Sequence, residues 1–245
     1  MQSKVFILFL LLPTSLFAQW TVKTRKVEKT SKDEHVSLVV NLPVLTGEYN
    51  PQVRKSINAV LGKLSEVDHL LVEANKAIKN HLKKMKQNKS STEDDDYDDD
   101  FPFSYYMDYE IGINDGRFFA ISYTINSQTS GGVTGDNAIT PANFFASTGT
   151  QVKLEELLLP NSDGELRKLF RSELSKEPEI LSHNWEKALL TVKYEFMLGK
   201  DAIIFYFPKY SLGPGASAVI SVSISYKILR PLIPASSPIA YLSHG

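Results

Sequence analysis

The chain has 245 residues, of which 42% are hydrophobic and 22% charged, a composition typical of a globular protein with a buried core. Its 27 basic and 28 acidic side chains give a net charge of −1, which disfavours nucleic acid or an anionic membrane as a partner held by global charge. The absence of cysteine excludes disulfides, thiolate metal ligands and a cysteine nucleophile.

Residues 1–18 have the layout of a secretory signal peptide. Lys4 precedes an apolar run over residues 5–12, Pro13 breaks it, and the segment ends in Ala18. The run is too short to span a bilayer. We therefore expect export to the periplasm or the exterior, a mature chain that starts at Gln19, and no membrane span after signal removal. A disulfide-free exported protein is more typical of bacteria than of eukaryotes.

Two strands and a long helix are predicted next. Residues 20–29 and 35–45 alternate or run β-branched, which predicts strands. Asn50 and Pro51 then provide an N-cap and a first helical residue. One apolar stripe follows at steps of three and four: Val53, Ile57, Val60, Leu64, Val67, Leu71, Ala74, Ile78, Leu82 and Met85. We expect the stripe to pack on its own sheet, with a dimerising coiled coil as the alternative, and Gly62 to mark a bend or break. The pattern predicts no particular oligomeric state.

An acidic loop is predicted over residues 88–100, after a lysine-rich helix end. Its acids are Glu93, Asp94, Asp95, Asp96, Asp98, Asp99 and Asp100. Calcium loops alternate their ligands and include a turn glycine, and this run does neither. The open interpretations are a solvated spacer, a cluster that attracts a cationic partner within a Debye length of about 8 Å, and a weak metal site.

The remaining pattern predicts antiparallel strands with inserted helices. A hairpin turns through the "NDG" sequence, a glycine-rich loop holds Gly131 and Gly132, and a second hairpin turns at Gly199–Lys200. We predict an α+β fold with a mixed or antiparallel sheet, packed by the long amphipathic helix and a second, shorter helical segment. Residues 19–130 and 131–230 are expected to be two halves of one compact unit, followed by a flexible tail over 231–245.

The order of these segments resembles a known bacterial domain. "RKSINAVL", "NFFASTGTQVKLEELL" and "DAIIFYFPKYSLGPGASAVISVSISY" carry the likeness, with Phe205, Phe207, Tyr210 and Gly215 as its most specific residues. The domain occurs in the extracytoplasmic part of lysozyme-sensing anti-sigma factors and beside the catalytic domain of some peptidoglycan deacetylases. The resemblance covers roughly residues 35–230 and implies an α+β unit of two adjoining parts that binds a ligand without chemistry of its own, lysozyme in the best understood member. It departs where Val133 and Thr134 replace the histidine-containing continuation that often follows the two glycines.

Candidate chemistry is sparse elsewhere. The five histidines fall in no ligand spacing and are interpreted as surface residues. The acids Glu155 and Glu156 are expected to diverge, and Asp108 and Glu110 to be solvated. Among the dense aromatics we expect core packing for most and exposure for Tyr105, Tyr106 and Tyr210.

The sequence thus predicts an exported, non-enzymatic binding domain of the bacterial cell envelope. Its expected partner is a basic envelope protein such as lysozyme, or peptidoglycan, with no cofactor, no metal and no catalytic residue. The ligand-binding candidates are the seven acids above, Tyr105, Tyr106, Gly131, Gly132 and Tyr210. The alternative is an enzyme that modifies cell-wall glycans with paired carboxylates.

Overall fold

The computed structural model describes residues 19–47, 50–88, 103–128, 136–213 and 219–244. The strands are β1 Thr21–Thr30, β2 Val36–Thr46, β3 Phe103–Asn114, β4 Phe118–Gln128, β5 Asp136–Phe145, β6 Glu195–Leu198, β7 Ala202–Phe207 and β8 Ile220–Ser225. The helices are α1 Pro51–Leu64, α2 Val67–Asn88, α3 Asp163–Leu174, α4 Trp185–Leu189 and α5 Tyr226–Leu229. Short 3-10 turns cover Leu154–Glu156, Pro178–Ile180, Arg230–Leu232 and Ala240–His244.

The strands form two sheets. The first has the order β1-β2-β3-β4-β5, and the second has the order β6-β7-β8. Every neighbouring pair is antiparallel except β2 and β3, which run parallel because α1 and α2 intervene and carry the chain back to the start of the sheet. The predicted mixed α+β architecture is confirmed.

The long helical segment begins as predicted. Asn50 is the N-cap, since its Oδ1 accepts from the Val53 N–H at 3.2 Å, and Pro51 is the first helical residue. The segment breaks at Ser65–Glu66, not at Gly62, because Glu66 adopts a left-handed conformation with φ of +48°. The Ser65 hydroxyl donates to the Gly62 carbonyl at 2.7 Å and so satisfies one of the last carbonyls of α1.

The apolar stripe packs on the sheet over only part of its length. Val53, Ile57 and Leu61 are buried on α1, and Ala74 is buried on α2. Near the end of α2, Leu82 and Met85 are 49% and 42% exposed. The predicted stripe is therefore wrong at this end, where His81 instead of Leu82 or Met85 takes the buried position.

Two hydrophobic clusters lie on opposite faces of the five-stranded sheet. The first cluster joins α1 and the start of α2 to one face, through residues such as Leu38, Met107 and Tyr123. The second cluster contains α3 and the three-stranded sheet, and reaches the other face through Phe118 and Ala120. Adjacent residues of β4 thus serve different clusters, as the two-residue period of a strand requires.

The C-terminal segment differs from the predicted flexible tail. Leu232, Ile233 and Ile239 are buried in the second cluster, and the Ser237 hydroxyl donates to the Leu157 carbonyl at 2.7 Å. The proline and serine content that suggests a loose end instead forms tight turns around these apolar anchors. The last strand is also shorter than its pattern suggests, because Ser225 caps α5 directly after β8.

Candidate functional site: a groove between the two sheets

The two sheets meet where β5 and β6 approach each other. The Asn143 Nδ2 group of β5 donates to the Phe196 carbonyl at 2.7 Å, and its Oδ1 atom accepts from the Leu198 N–H at 2.7 Å. Asn143 is 5% exposed, so both bonds lie away from water. A polar side chain therefore joins two backbones that belong to different sheets.

A groove runs along this junction, and we call it the inter-sheet groove. It consists of two cavities of about 620 and 720 Å³ that share Lys193, Tyr194 and Glu195. The smaller cavity is also bordered by α3 and by Lys153 and Glu155. The larger is bordered by residues 137–140 of β5 and by residues 206–210. The groove is thus assembled from segments far apart in sequence.

Tyr194 occupies the middle of the groove in a fixed orientation. Its hydroxyl donates to Asp163 Oδ1 at 2.8 Å, and Asp163 Oδ2 accepts from Arg167 Nε at 2.7 Å. Arg167 also donates to the carbonyls of Leu189 and Val192, which anchors α3 to the segment before β6. The Tyr194 ring packs edge-on against Phe170, with ring centroids 5.1 Å apart.

The carboxyl groups of the groove have different electrostatic surroundings. Burial alone would raise the pKa of Asp163, but the hydrogen bonds from Arg167 and Tyr194 outweigh it and lower that pKa overall. Glu195 remains solvent-accessible, yet partial burial raises its pKa above the ordinary value of 4.5. Asp163 is thus held as an anion by its neighbours, whereas the Glu195 carboxylate has no hydrogen bond or ion pair within the described residues.

The larger cavity ends at an open aromatic residue. Tyr210 is 62% exposed, adopts a left-handed φ of +67°, and has the Lys209 Nζ atom 5.1 Å from its ring centroid. Tyr206 lies behind it, 7% exposed, and its hydroxyl bonds to Ser122 of β4. Tyr206 is therefore part of the cavity wall, whereas the ring of Tyr210 is accessible to a ligand.

The structure does not bring the predicted tyrosines together. Tyr105 is half-buried against the first cluster and lines a separate cavity of about 500 Å³ beside α1. Tyr106 points to the opposite face, where it is exposed and donates to Asp108 Oδ2 at 2.9 Å. Of the three, only Tyr210 lines the inter-sheet groove. The seven acids, Gly131 and Gly132 lie outside the described residues.

The groove contains carboxylates that sequence reasoning did not combine. Glu155, Asp163 and Glu195 line the same cavity. Glu155 and Glu156 diverge as expected, because Glu156 Oε2 turns back to accept from the Lys153 N–H at 2.7 Å. The three acids come from a 3-10 turn, from α3 and from β6, and no local spacing in the sequence relates them.

The interpretation of the histidines as surface residues is wrong for His81. It is 9% exposed, its Nε2 atom lies 2.5 Å from Asp33 Oδ2, and its ring stacks on His35 at 4.2 Å. The hydrogen bond from His81 is the largest of the effects that lower the pKa of Asp33. His81 occupies the inward-facing position at the end of α2 where the apolar stripe no longer packs. His69 and His183 are exposed, as predicted.

Within residues that the structure describes, no cluster of three or more histidine, aspartate or glutamate side chains is arranged to hold a metal ion. No described helix is both long and apolar enough to cross a membrane.

Two family models match the chain in succession. The model described as "Deacetylase PdaC" matches residues 29–135, and the model described as "Protein of unknown function (DUF3298)" matches residues 143–227. The resemblance inferred from the sequence is confirmed. The PdaC match includes β2, β3 and β4 but only the last two residues of β1, and the DUF3298 match includes the second sheet and α3. The residues that line the inter-sheet groove belong to the DUF3298 match and to the part of β5 just before it.

Solved structures give the same result for the fold. A DUF3298 family member from Bacteroides fragilis superposes with a TM-score of 0.66 at 14% identity, covering 91% of this chain and 97% of that one. A DUF3298 family protein from Pseudomonas aeruginosa gives a TM-score of 0.57 at 14% identity, covering 90% and 97%. At this identity the likeness concerns the fold. No curated protein matches the chain significantly.

Proposed function

We propose that the chain is an exported, non-enzymatic binding domain of the bacterial cell envelope, which holds a protein or peptidoglycan ligand in the inter-sheet groove. The observation that carries the proposal is the groove itself, which is lined by the DUF3298 region and the preceding part of β5. It combines the exposed ring of Tyr210 with the Glu195 carboxylate, which no described residue pairs. The signal-like residues 1–18 and the deacetylase named in the first match support the envelope as its location.

The lining of the groove suits a polar, extended ligand. Tyr210 offers a ring face on which a sugar or a side chain can stack, and Glu195 offers a negative charge. Tyr194 is held rigidly by Asp163 and Phe170, so little side-chain entropy is lost when a ligand contacts it. A rigid, preformed site is what a binding domain requires.

The protein version is tested by mixing the purified mature chain with lysozyme at low and high salt. We expect a complex at low salt that weakens as salt screens the acidic residues. Tyr210→Ala should reduce the affinity roughly 3- to 10-fold, which is the usual contribution of an aromatic contact. Tyr106→Ala should leave the affinity unchanged, because Tyr106 is exposed outside the groove. No complex at low salt would remove lysozyme as the ligand.

The peptidoglycan version is tested by sedimentation with purified sacculi. Retention of the wild-type chain and release by Tyr210→Ala would support it. A chain that stays in the supernatant under all salt conditions would remove this version. If both the lysozyme and the sacculus experiments are negative, the proposed function fails.

A second candidate is an enzyme that modifies cell-wall glycans. It is favoured by Glu155, Asp163 and Glu195 around one cavity, since Asp163 has a lowered pKa and Glu195 a raised one, as a base and an acid would need. It predicts product release from peptidoglycan or a chitooligosaccharide, abolished by Glu195→Gln and by Asp163→Asn. Intact substrate after prolonged incubation with the wild-type chain would remove it.

A further inference from the structure

The backbone of β5 has two edges, and only one of them pairs with β4. The Ala146 N–H donates to the Arg117 carbonyl on the β4 side, whereas the Phe145 N–H donates to the Thr150 carbonyl on the opposite side. The register of β4 with β5 is continuous from Asp136 to Phe145. Because the direction of backbone groups alternates along a strand, the odd-numbered residues of β5 point their N–H and C=O groups away from β4.

This outer edge is covered over its C-terminal half, whereas residues 139–141 have no partner on that side within the described part of the chain. The chain returns along residues 150–152, where the Val152 N–H donates to the Asn143 carbonyl at 2.8 Å. Further along, neither the N–H nor the C=O of Ile139 nor the C=O of Pro141 makes a hydrogen bond with any described outer-edge partner. Pro141 sits at an outward position, where its missing N–H leaves the β4 ladder intact.

Cavities lie on both faces of the sheet beside this open edge. The 720 Å³ cavity is bordered by Ile139 and Thr140 and opens toward the second sheet. The 500 Å³ cavity is also bordered by Thr140 and lies on the face covered by α1. A strand laid along β5 would direct alternate side chains to the two faces, and therefore toward one cavity and then the other.

The charge in the groove indicates which side chain such a strand should carry. Glu195 lines the larger cavity together with Lys193 and Lys209, but no described cation lies within ion-pair distance of its carboxylate, whose pKa is raised by partial burial. The other carboxylate in the middle of the groove, Asp163, is already bonded to Arg167 at 2.7 Å. A lysine or arginine on the ligand would complete the Glu195 site.

We propose that a partner protein adds an extended peptide segment as a further strand along the outer edge of β5, over residues 139–141, and places a basic side chain against Glu195. The inference rests on the proposed binding function and specifies its ligand class as a peptide. The open edge spans about 7 Å, enough to pair with two or three ligand residues. Main-chain hydrogen bonds to Ile139 and Pro141 provide affinity, and the two cavities provide selectivity for alternate side chains.

The test uses the mature chain as bait for a display library of random peptides, each roughly 8 residues long so that it can span the open edge. We expect enrichment of alternating sequences with one lysine or arginine at a fixed position. Ile139→Pro removes the outward N–H and should weaken the selected peptides about 5- to 10-fold, whereas Ile139→Val, which keeps the N–H, should not. Glu195→Gln should abolish the preference for a basic residue.

Hydrogen exchange of the wild-type chain makes the test independent of any folding defect in the proline variant. A bound peptide should slow exchange of the Ile139 amide. Failure to enrich any peptide, or peptides that bind without protecting this amide, would overturn the inference. If the chain still binds lysozyme or sacculi in that case, the proposed function stands and only strand addition fails; if it binds none of these probes, both fail.

Discussion

Gly112 of β3 lies directly against Leu198 of β6, so that a Cβ atom on residue 112 would overlap the Leu198 carbonyl oxygen. The first sheet therefore approaches the second to backbone contact at this point. The neighbouring side chain of Met197 would also crowd such an atom, at 3.1 Å. The absence of a side chain on Gly112 is thus a condition for the close approach of β3 to β6.

Gly112→Ala should destabilise the chain by about 3 kcal/mol, because two backbones would have to move apart. Gly62→Ala is the matched control: the added Cβ would meet nothing within 4 Å on α1. It should stabilise the chain by about 0.5–1 kcal/mol, since alanine favours the helix over the unfolded state. Urea unfolding of both variants measures the difference, and equal effects would contradict the close approach.

Asn143→Ala should lower the free energy of unfolding by about 2–4 kcal/mol, because the Phe196 carbonyl and the Leu198 N–H would both remain buried without their partner. The control is Asn126→Ala, which removes an exposed side-chain hydrogen bond of 2.7 Å to Asn137. That substitution should change the free energy of unfolding by no more than about 0.5 kcal/mol. A tolerated Asn143→Ala would mean that Asn143 does not hold the sheets together.

The Asp33–His81 pair should contribute to acid stability. The folded pKa of Asp33 lies below its usual value of 3.8, so its stabilising effect is present above that pH and is lost as the pH falls toward the folded pKa. Asp33→Asn should therefore lower the melting temperature at pH 6. The difference in melting temperature between this variant and the wild type should become smaller below about pH 3.8. Asp68→Asn, an exposed acid on α2, is the control and should change little.

Glu195→Gln should stabilise the free chain at neutral pH while weakening binding of a cationic ligand. Burial raises the folded pKa of Glu195, so this group favours folding at low pH and opposes it as the pH rises through that pKa. The increase in the free energy of unfolding should stay below about 1 kcal/mol, because the Glu195 side chain is partly exposed and its charge is screened. It should disappear below about pH 4, where both states are protonated. A variant that is less stable at pH 7 would contradict this account.

Deletion of residues 93–100 should leave the melting temperature unchanged, because the acidic segment adds no apolar side chain beyond Tyr97 to a core. If the acids attract a basic partner, the association rate should fall and lose most of its salt dependence, as stopped-flow mixing with lysozyme would measure. An unchanged association rate would leave the segment with the role of a spacer.

The pattern of apolar residues determined much of this fold without tertiary information. The alternation at residues 36–42, the N-cap at Asn50 and the turn at Gly199 each depend on neighbours a few positions away, so local chemistry suffices to predict them. The resemblance and the α+β class followed from the order of those elements. The break of the helix at Glu66 was missed by four residues, because a left-handed glutamate is not a local preference.

The groove was decided only by the tertiary structure. Tyr194, Asp163 and Glu195 carry no motif. They meet because Asn143 of β5 binds the backbone of β6, while Gly112 of β3 allows the first sheet to approach β6 closely. The same holds for His81, whose burial depends on Asp33 at the far end of the chain's first hairpin. Periodicity indicates which face of an element is apolar, whereas contacts between elements depend on how those faces pack. For this reason the sequence predicted the exposure of Tyr210 but not the cavity beside it.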